Sequence, residues 1–307
     1  MKVLIYGAGV IGQIYGGRLA EGGHSVTLLA RGDRARSLAE HGVTLRKDGE
    51  LRHWRPQLVT EVPADTTFDV VLVAVRRDQV AQVAPQLAQV AAGHVVLMLN
   101  QGIDLEELRR QTGPERTLFC FPGVGGYHSA EATVTYIEIP QQKTTVERRA
   151  GREQPVIELL RTAGFPVAVS DGMAAWMATH AVFATTVGAA ILAAGGDSVA
   201  LAADRGRVAD MVAAVGEGFR ALSRQGIPVT PTPLRLIFTV VPRFVAVRYW
   251  QRQLRGPVGT VAIAPHMRAT GYPELPALGA DVRRLVAGHG PTPLLDLLLE
   301  PIRDRAS

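Results

Sequence analysis

Three glycines near the start of the chain have the spacing of a phosphate-binding turn. Gly7, Gly9 and Gly12 form the pattern G-x-G-x-x-G directly after the short apolar run Val3–Tyr6. In such a turn the first glycine allows a tight bend, the second lets the backbone approach a pyrophosphate, and the third lets a helix pack closely on a strand. The helix start then offers unpaired N–H groups to the phosphates. We therefore predict a dinucleotide-binding turn formed by Gly7, Ala8, Gly9, Val10, Ile11 and Gly12.

The residue after the second predicted strand indicates which dinucleotide would bind. Ser25–Ala30 is a predicted strand, and Arg31 follows it directly. An acidic residue at this place binds the ribose 2′-hydroxyl of NAD, whereas an arginine suits the 2′-phosphate of NADP. The only nearby acid, Asp33, lies beyond the strand end, and Arg34 and Arg36 are additional basic residues. We predict NADP(H) binding through Arg31; the alternative is a solvated basic loop.

Two further strand ends carry polar side chains. The apolar run Asp69–Val75 is followed by Arg76, and the run His94–Leu99 is followed by Asn100. Because ligands in open α/β sheets bind beyond the carboxyl ends of the strands, Arg76 and Asn100 are predicted cofactor-site residues. The alternative for Arg76 is an ion pair with Asp78 at the start of the next helix.

These residues require a parallel sheet to position them. Predicted strands and helices alternate as far as Val169, which is typical of a doubly wound α/β sheet, and only helices are predicted from Ser170 onward. The predicted fold class is therefore α/β: an N-terminal Rossmann sheet followed by an all-helical C-terminal domain. Residues 1–169 form the predicted NADP-binding domain, and residues 170–307 form a helical domain for substrate binding or dimerisation.

The composition is that of an ordinary globular enzyme. The chain has 307 residues, 47% of them hydrophobic and 20% charged, with a net charge of +5. The basic residues are dispersed arginines without a long run, so we expect no nucleic-acid partner. Cys120 is the single cysteine, which excludes an intramolecular disulfide and a cysteine-based metal site, and we expect a cytoplasmic location and no metal.

One segment imitates a membrane span. Met173–Ala194 contains no formally charged residue and is rich in alanine. A transmembrane helix needs about 20 apolar residues, so length alone permits a span. Threonines and His180 dilute the segment, and we predict instead the buried central helix of the second domain, without a membrane partner. If this helix were exposed, it would suit a homodimer interface.

Four stretches of this chain together resemble the ketopantoate reductase family. They are the glycine turn at 7–12, Arg31, the sequence LVAVR at 72–76 and the sequence LMLNQGIDLEEL at 97–108. The resemblance implies an NADPH-dependent reductase with a Rossmann domain and a helical domain. It also implies that Asn100 matches an asparagine that touches cofactor and substrate. In the family a glycine follows that asparagine; here Gln101 replaces it, and Gly102 comes one residue later.

The chain departs from the family pattern at the position of the family's catalytic lysine. The family's general acid is a lysine two residues after a tryptophan, and Ala178 stands two residues after Trp176. Two substrate-binding asparagines on the same helix are matched by Val182 and Thr186, and residues 244–262 contain no carboxylate. No lysine follows Lys143, so no shift of the alignment restores the acid. We therefore predict a small-molecule substrate other than ketopantoate: a carbonyl, an imine or an alkene.

Few residues are left as replacement catalysts. His180 is on the same predicted helix, although two residues from Ala178 and so facing away from it, and histidine is a common general acid. Tyr127 follows the glycine run 123–126, which is predicted to be a loop beyond a strand at 118–122. Our catalytic candidates are thus Asn100, His180 and Tyr127. Weaker candidates for lining the site are His128, Gln141, Gln142, Thr145, Arg248, Tyr249 and Trp250, whereas His266, which follows Pro265, is predicted to be a loop residue.

Three hypotheses from different classes follow. The first is an NADPH-dependent reductase of ketopantoate-reductase-like fold that acts on another small molecule. The second is an NADP(H)-binding protein without redox catalysis, either a sensor or a non-redox enzyme, which the missing lysine also favours. The third is a relative that binds no dinucleotide, against which the intact glycine turn and Arg31 argue.

Overall fold

The computed structural model describes residues 1–129, 133–268 and 274–303. The chain divides into two compact units: residues 1–99 with 106–173, and residues 100–105 with 174–307. Our sequence-based boundary between residues 169 and 170 lies close to the third crossing of the chain between the units, after residue 173. The short excursion of residues 100–105 into the second unit has no counterpart in the sequence-based division.

The first unit contains the strands and five of the helices found in the described residues. Its strands are β1 Lys2–Tyr6, β2 Ser25–Leu29, β3 Val43–Lys47, β4 Glu50–Trp54, β5 Gln57–Val59, β6 Phe68–Val73, β7 Ala92–Met98, β8 Thr117–Phe121, β9 Val124–His128, β10 Thr133–Glu138, β11 Thr144–Glu147 and β12 Val167–Ser170. Its helices are α1 Val10–Glu21, α2 Gly32–His41, α3 Val80–Gln89, α4 Leu105–Thr112 (which begins at the unit boundary) and α5 Gln154–Thr162.

The main sheet has the strand order β12-β11-β8-β7-β6-β1-β2-β5 within the described part of the chain. The pairs from β8 through β5 are all parallel, and β11 joins β8 in the antiparallel sense. The chain runs from β1 outward to β2 and β5, then returns to the other side of β1 with β6. This reversal of strand order beside β1 is the place where open α/β sheets bind ligands, and it confirms the predicted Rossmann arrangement.

A second sheet contradicts the prediction of one sheet. Its strand order is β4-β3-β10-β9 in the described residues. It begins with the β3–β4 hairpin, whose turn residues Asp48 and Gly49 both have positive φ, as the tight Asp-Gly turn requires. The sheet packs on α1, since Gly17 lies against Leu45 and Gly16 against Trp54. Helix α1 is therefore covered on more than one face, which explains why it is apolar nearly all round.

The second unit consists of helices, as predicted. They are α6 Met173–Ala193, α7 Ser198–Ala203, α8 Arg205–Arg224, α9 Thr232–Thr239, α10 Arg243–Arg255, α11 Ala264–Arg268, α12 Glu274–Val286 and α13 Pro293–Arg303, with a π-helical segment at Val258–Ile263. Pro242 lies between α9 and α10 and directly precedes α10. Asp204 separates α7 from α8, because it ends α7 and its carboxylate accepts from the Arg207 N–H to cap α8.

Helix α6 is the core element of this unit. In the described residues it is the one helix long and apolar enough to cross a membrane, and 78% of its most apolar 18-residue window is buried. A core helix of a soluble fold has the same properties. The burial also leaves α6 little exposed surface for the homodimer interface that we considered, and the oligomeric state stays a prediction.

Candidate functional site

The bend after β1 needs two of its glycines for its own backbone. Gly7 has φ of 116°, and a Cβ there would lie 2.7 Å from the carbonyl oxygen of Ala74. A Cβ on Gly12 would lie 1.9 Å from the carbonyl oxygen of Gly7. Neither position accepts a side chain, so Gly7 and Gly12 bring the start of α1 directly against the end of β1.

Gly9 is different, because its surroundings are open. It precedes α1 with φ of −76°, which any residue can adopt, and a Cβ there would meet no described atom within 4 Å. No side chain caps α1, so the first backbone N–H groups of the helix have no partner inside the helix or from a cap. An uncapped helix start beside open space suits a pyrophosphate. The residues from Gly7 to Gly12 therefore fit the dinucleotide that the sequence predicts.

Arg31 begins α2 just after β2 ends at Leu29. Its guanidinium donates to the Thr60 carbonyl and to Gln86 Oε1, each at 3.3 Å, and pairs with no carboxylate among the described residues. The nearby acid, Asp33, is paired instead with Arg36. The positive charge of Arg31 is thus uncompensated, whereas the one acid that could bind a ribose hydroxyl already has a cationic partner.

Arg76, unlike Arg31, is paired with a carboxylate. Its guanidinium donates two hydrogen bonds to Asp78, from Nε to Oδ1 and from Nη2 to Oδ2, each at 2.9 Å. This pairing lowers the pKa of Asp78 from its ordinary value. The ion pair is the alternative that the sequence left open, and a cofactor role for Arg76 stays a prediction. Such a role would compete with Asp78 for the guanidinium.

Residues 100–105 connect β7 to α4 and belong to the second unit. Asn100 is half-buried, and its amide makes no hydrogen bond to another described residue, so it is available to a ligand. Gly102 packs on α6: a Cβ there would lie 2.8 Å from Ala181 Cβ and 3.7 Å from Ala178 Cα. The segment that carries Asn100 therefore lies against the helix position where the family resemblance implies a lysine.

The matching face of α6 contains no charged group. Ala178 is 2% exposed, Val182 is fully buried, and the Thr186 hydroxyl donates to the Val182 carbonyl at 2.7 Å. Val182 also packs against α8, where a Cβ on Gly218 would lie 2.5 Å from Val182 Cγ1. These positions are used for packing between helices. They offer neither an ammonium group nor an amide to a polar substrate.

His180 lies on another face of α6, within a group of aromatic rings. Its ring stacks on Trp176 with centroids 5.1 Å apart and an interplanar angle of 3°, and meets the edge of Phe183 at 5.9 Å. Burial lowers the pKa of His180 to about 3. The imidazole is therefore neutral at pH 7 and carries no proton to donate as an imidazolium, so the structure does not support a general-acid role.

The prediction that Tyr127 and His128 lie in a loop is wrong. Both residues are in β9, where Tyr127 pairs with Thr135 of β10 in the second sheet. The segment 141–146, which contains three of the weaker candidates, turns after β10 and enters the main sheet as β11. There, the Gln142 amide donates to the Pro122 carbonyl at 2.9 Å and the Thr145 hydroxyl to the Lys143 carbonyl at 3.0 Å. These polar groups serve local structure.

Other candidates have structural surroundings. Trp250 lies among aromatic rings, 5.3 Å from both Phe183 and Phe238 between centroids. Tyr249 meets its edge at 5.4 Å, and Arg248 is exposed on the same helix. Gln141 is exposed in the turn before β11, and His266 is in α11, where burial lowers its pKa.

Two residues were missed by the sequence interpretation. Glu217 is a buried carboxylate whose Oε2 accepts from the N–H groups of Leu294 and Leu295, each at 3.0 Å, which caps α13. Gln101 is 3% exposed, and its amide donates to the Ile103 carbonyl at 2.8 Å. Across residues 1–129, 133–268 and 274–303, no three His, Cys, Asp or Glu side chains group as they would to hold a metal ion.

Comparisons with known proteins find a similarity to one family in the N-terminal part of the chain. Residues 3–150 match the family described as Ketopantoate reductase PanE/ApbA. A 2-dehydropantoate 2-reductase of Halobacterium salinarum is 32% identical over 105 residues, which are 34% of this chain and 35% of that protein. The uncharacterized oxidoreductase YkpB of Bacillus subtilis is 36% identical over 83 residues, 27% of each chain. The matches thus span about a third or less of these two relatives.

Solved structures extend the likeness of fold to the whole chain. A 2-dehydropantoate 2-reductase from Geobacter metallireducens has a TM-score of 0.80 at 15% identity and covers 100% of both chains. D-mandelate dehydrogenase with NADH and anilino(oxo)acetate has a TM-score of 0.77 at 16% identity, covering 100% of this chain and 98% of that one. At such identities the structures show the fold alone. The chain therefore has the fold of the 2-dehydropantoate 2-reductase structures, and its residues 3–150 match the family described as Ketopantoate reductase PanE/ApbA.

Proposed function

We propose that this protein is an NADPH-dependent reductase of a small molecule other than ketopantoate. The observation that carries the proposal is the turn from Gly7 to Gly12, where open space at Gly9 meets an uncapped helix start. The chemistry that bound NADPH supplies is hydride transfer to an electrophilic carbon. The residues of this chain bind the phosphates at the start of α1.

Arg31 supports the choice of NADPH over NADH. It follows β2, where dinucleotide-binding folds meet the adenosine ribose, and its charge is not compensated by a carboxylate. Asp33 is paired with Arg36 and so is not available to a 2′-hydroxyl. A 2′-phosphate would supply the anion that Arg31 lacks. NADH is bound in the D-mandelate dehydrogenase structure, so the preference requires its own measurement.

The surroundings of Ala178 support a substrate other than ketopantoate. A reduced carbonyl takes up a proton as well as a hydride, and a positioned donor contributes about 10²–10⁴ in rate. With an alanine against Gly102 and no lysine after Lys143, the proton must come from another group or from water. A carbonyl, an imine or an activated alkene that needs less assistance fits this surface better than a carboxylate-bearing keto acid. We include no nucleic-acid or membrane partner in the proposal.

A panel of substrates tests the proposal against its rival, an NADP(H)-binding protein without redox catalysis. The neutral His180 and the apolar face of α6 favour the rival. NADPH oxidation is followed at 340 nm with ketones, imines and enones, after NADPH binding has been shown by fluorescence of the nicotinamide. Turnover of one class supports the reductase. Binding without turnover of any class supports the rival, and no binding contradicts both.

A further inference from the structure

A side-chain amide of α3 holds the guanidinium of Arg31. Gln86 Oε1 accepts a hydrogen bond from Arg31 Nη2 at 3.3 Å and another from the hydroxyl of Tyr6. Gln86 is in α3, Arg31 directly precedes α2, and Tyr6 is the last residue of β1. All three residues belong to the first unit. The amide therefore connects three elements at the place where Arg31 is expected to meet a 2′-phosphate.

The orientation of this amide follows from its partners. A guanidinium can only donate hydrogen bonds, so the amide atom that contacts Arg31 is the oxygen. Tyr6 is 2% exposed, and its hydroxyl donates to the same oxygen. The other amide atom, Gln86 Nε2, makes no hydrogen bond to a described residue. Gln86 thus has an acceptor with two donors and an NH₂ group with two free hydrogens.

The free NH₂ group lies beside a cation that a solute can reach. Gln86 and Arg31 are both exposed. Because Oε1 and Nε2 are bonded to the same carbon, the NH₂ group lies close to the guanidinium that Oε1 contacts. Arg31 Nη1 also has no partner among the described residues. A phosphate monoester has three terminal oxygens that accept hydrogen bonds, so one phosphate can take donors from both side chains.

We propose that Gln86 is a specificity-determining residue for NADPH: Oε1 holds the Arg31 guanidinium in place, and Nε2 donates to the 2′-phosphate. Tyr6 is a positioning residue, since its hydroxyl fixes the orientation of the amide. This inference rests on the proposed function, because it requires a bound dinucleotide. The glycine turn and the strand ends do not indicate Gln86, which is 55 residues from Arg31 along the chain.

The test measures the affinities of NADPH and NADH by isothermal titration calorimetry. Gln86→Met removes both polar atoms of the amide at nearly constant side-chain length. We expect NADPH affinity to fall by about tenfold, as for one hydrogen bond to a charged group, and NADH affinity to change by less than about twofold. Gln89→Met is the matched control and should change neither affinity, because Gln89 is exposed on the same helix and has no hydrogen-bond partner among the described residues.

Two further variants examine how Gln86 acts. Gln86→Glu keeps an acceptor for Arg31 but replaces the NH₂ group by a carboxylate oxygen. That carboxylate would pair with the guanidinium and repel the phosphate, so NADPH affinity should fall further than in Gln86→Met, with NADH affinity unchanged. The double variant Gln86→Met with Arg31→Ala should lose less NADPH affinity than the product of the two single losses, because both residues act at one phosphate.

The outcomes separate this inference from the proposed function. A preference for NADPH that is retained in Gln86→Met and Gln86→Glu overturns the inference and leaves the proposed function intact. Equal losses for NADPH and NADH in Gln86→Met would show a structural role alone and would also overturn it. A wild type that binds both cofactors equally well contradicts the choice of NADPH, and a wild type that binds neither overturns the proposed function itself.

Discussion

The turn after β1 and the Ala178 face of α6 show opposite outcomes of divergence. In the turn, two glycines are held by contacts with the backbone itself, and Gly9 faces open space. On α6, Ala178 and Val182 stand where the resemblance implies a lysine and an asparagine, and both are packed against neighbouring residues. The first region keeps each feature that a phosphate needs, and the second lacks each feature that a carboxylate needs.

Under the proposed function, this difference means that cofactor binding and proton donation have diverged separately in this chain. The glycine turn is constrained by backbone geometry, so it tolerates no side chain at Gly7 or Gly12 whatever the substrate. The face of α6 depends only on side chains, which can be exchanged while the helix stays packed. The cofactor site is therefore the firmer guide to function, and each prediction below acts on one side of this comparison.

The largest effect is expected from Gly12→Ala. Its Cβ would lie 1.9 Å from the Gly7 carbonyl oxygen, so the turn must distort. We expect a loss of about 3 kcal/mol or more in the free energy of unfolding, and no NADPH binding. Urea denaturation and NADPH titration measure both. Gly9→Ala is the matched variant: as a change at the N-cap of α1 it should cost at most about 1 kcal/mol, yet weaken NADPH binding by at least about tenfold. Equal stability of the two variants would contradict the account.

Arg31→Ala sharpens the cofactor side of the comparison. Loss of charge-assisted hydrogen bonds to a 2′-phosphate is worth about 1.5–3 kcal/mol, so NADPH affinity should fall by about 10- to 150-fold. NADH affinity should stay within about twofold, since NADH lacks that phosphate. Arg36→Ala, which removes a residue already paired with Asp33, is the control and should have a smaller effect. Equal losses for NADPH and NADH would show that Arg31 does not read the 2′-phosphate.

Ala178→Lys tests the α6 region of the comparison. The position is 2% exposed and lies against Gly102, so four added methylenes and an ammonium group overpack it. We expect the free energy of unfolding to fall by about 1–3 kcal/mol, with no gain of ketopantoate reduction. Ala184→Lys places the same side chain at a half-buried position of the same helix and should cost less. A stable Ala178→Lys protein that reduces ketopantoate would show that the α6 face has room for the lysine.

The smallest effect is a pH dependence that arises from His180. Its pKa is about 3 in the folded protein, below the ordinary value of 6.5, so only the unfolded chain binds a proton between these values. Stability is therefore lost as the pH falls below 6.5, by about 1.4 kcal/mol at pH 5.5. Between pH 7 and pH 5.5, the free energy of unfolding of His180→Phe should fall by about 1.4 kcal/mol less than that of the wild type. Urea denaturation at the two pH values measures this difference. Identical pH profiles would contradict the neutral, stacked imidazole.

Much of the first unit could be predicted because its signals are local. The apolar run, the glycine spacing and Arg31 lie within one βαβ unit, and the structure shows that unit as predicted. The second sheet could not be predicted in this way. Strand β10 pairs with β3, almost ninety residues earlier, and the glycine run before Tyr127 has the composition of a loop. The run forms β9 because it pairs with β10, and β10 is in turn paired with the distant strand β3.

The candidate site shows the same limit. Spacing along α6 predicts which residues share a face, but not that Gly102 packs on Ala178, because residue 102 comes from another part of the chain. The burial of Gln101 could not be predicted for the same reason. A glutamine in a short connection is usually solvated, and only the structure shows that this side chain is buried and that its oxygen has no donor among the described residues. The low pKa of His180 also follows from burial by residues distant in sequence.

The most direct test measures ketopantoate reduction by wild-type protein that has been shown to bind NADPH. Fluorescence of bound nicotinamide establishes saturation, and NADPH oxidation at 340 nm then gives the rate with ketopantoate. The account predicts NADPH binding together with ketopantoate turnover below about 0.1 s⁻¹, which is about 10²–10⁴ below the typical enzyme rate of about 10 s⁻¹. Turnover within the ordinary enzyme range of about 1–10³ s⁻¹, or no NADPH binding at all, would contradict it.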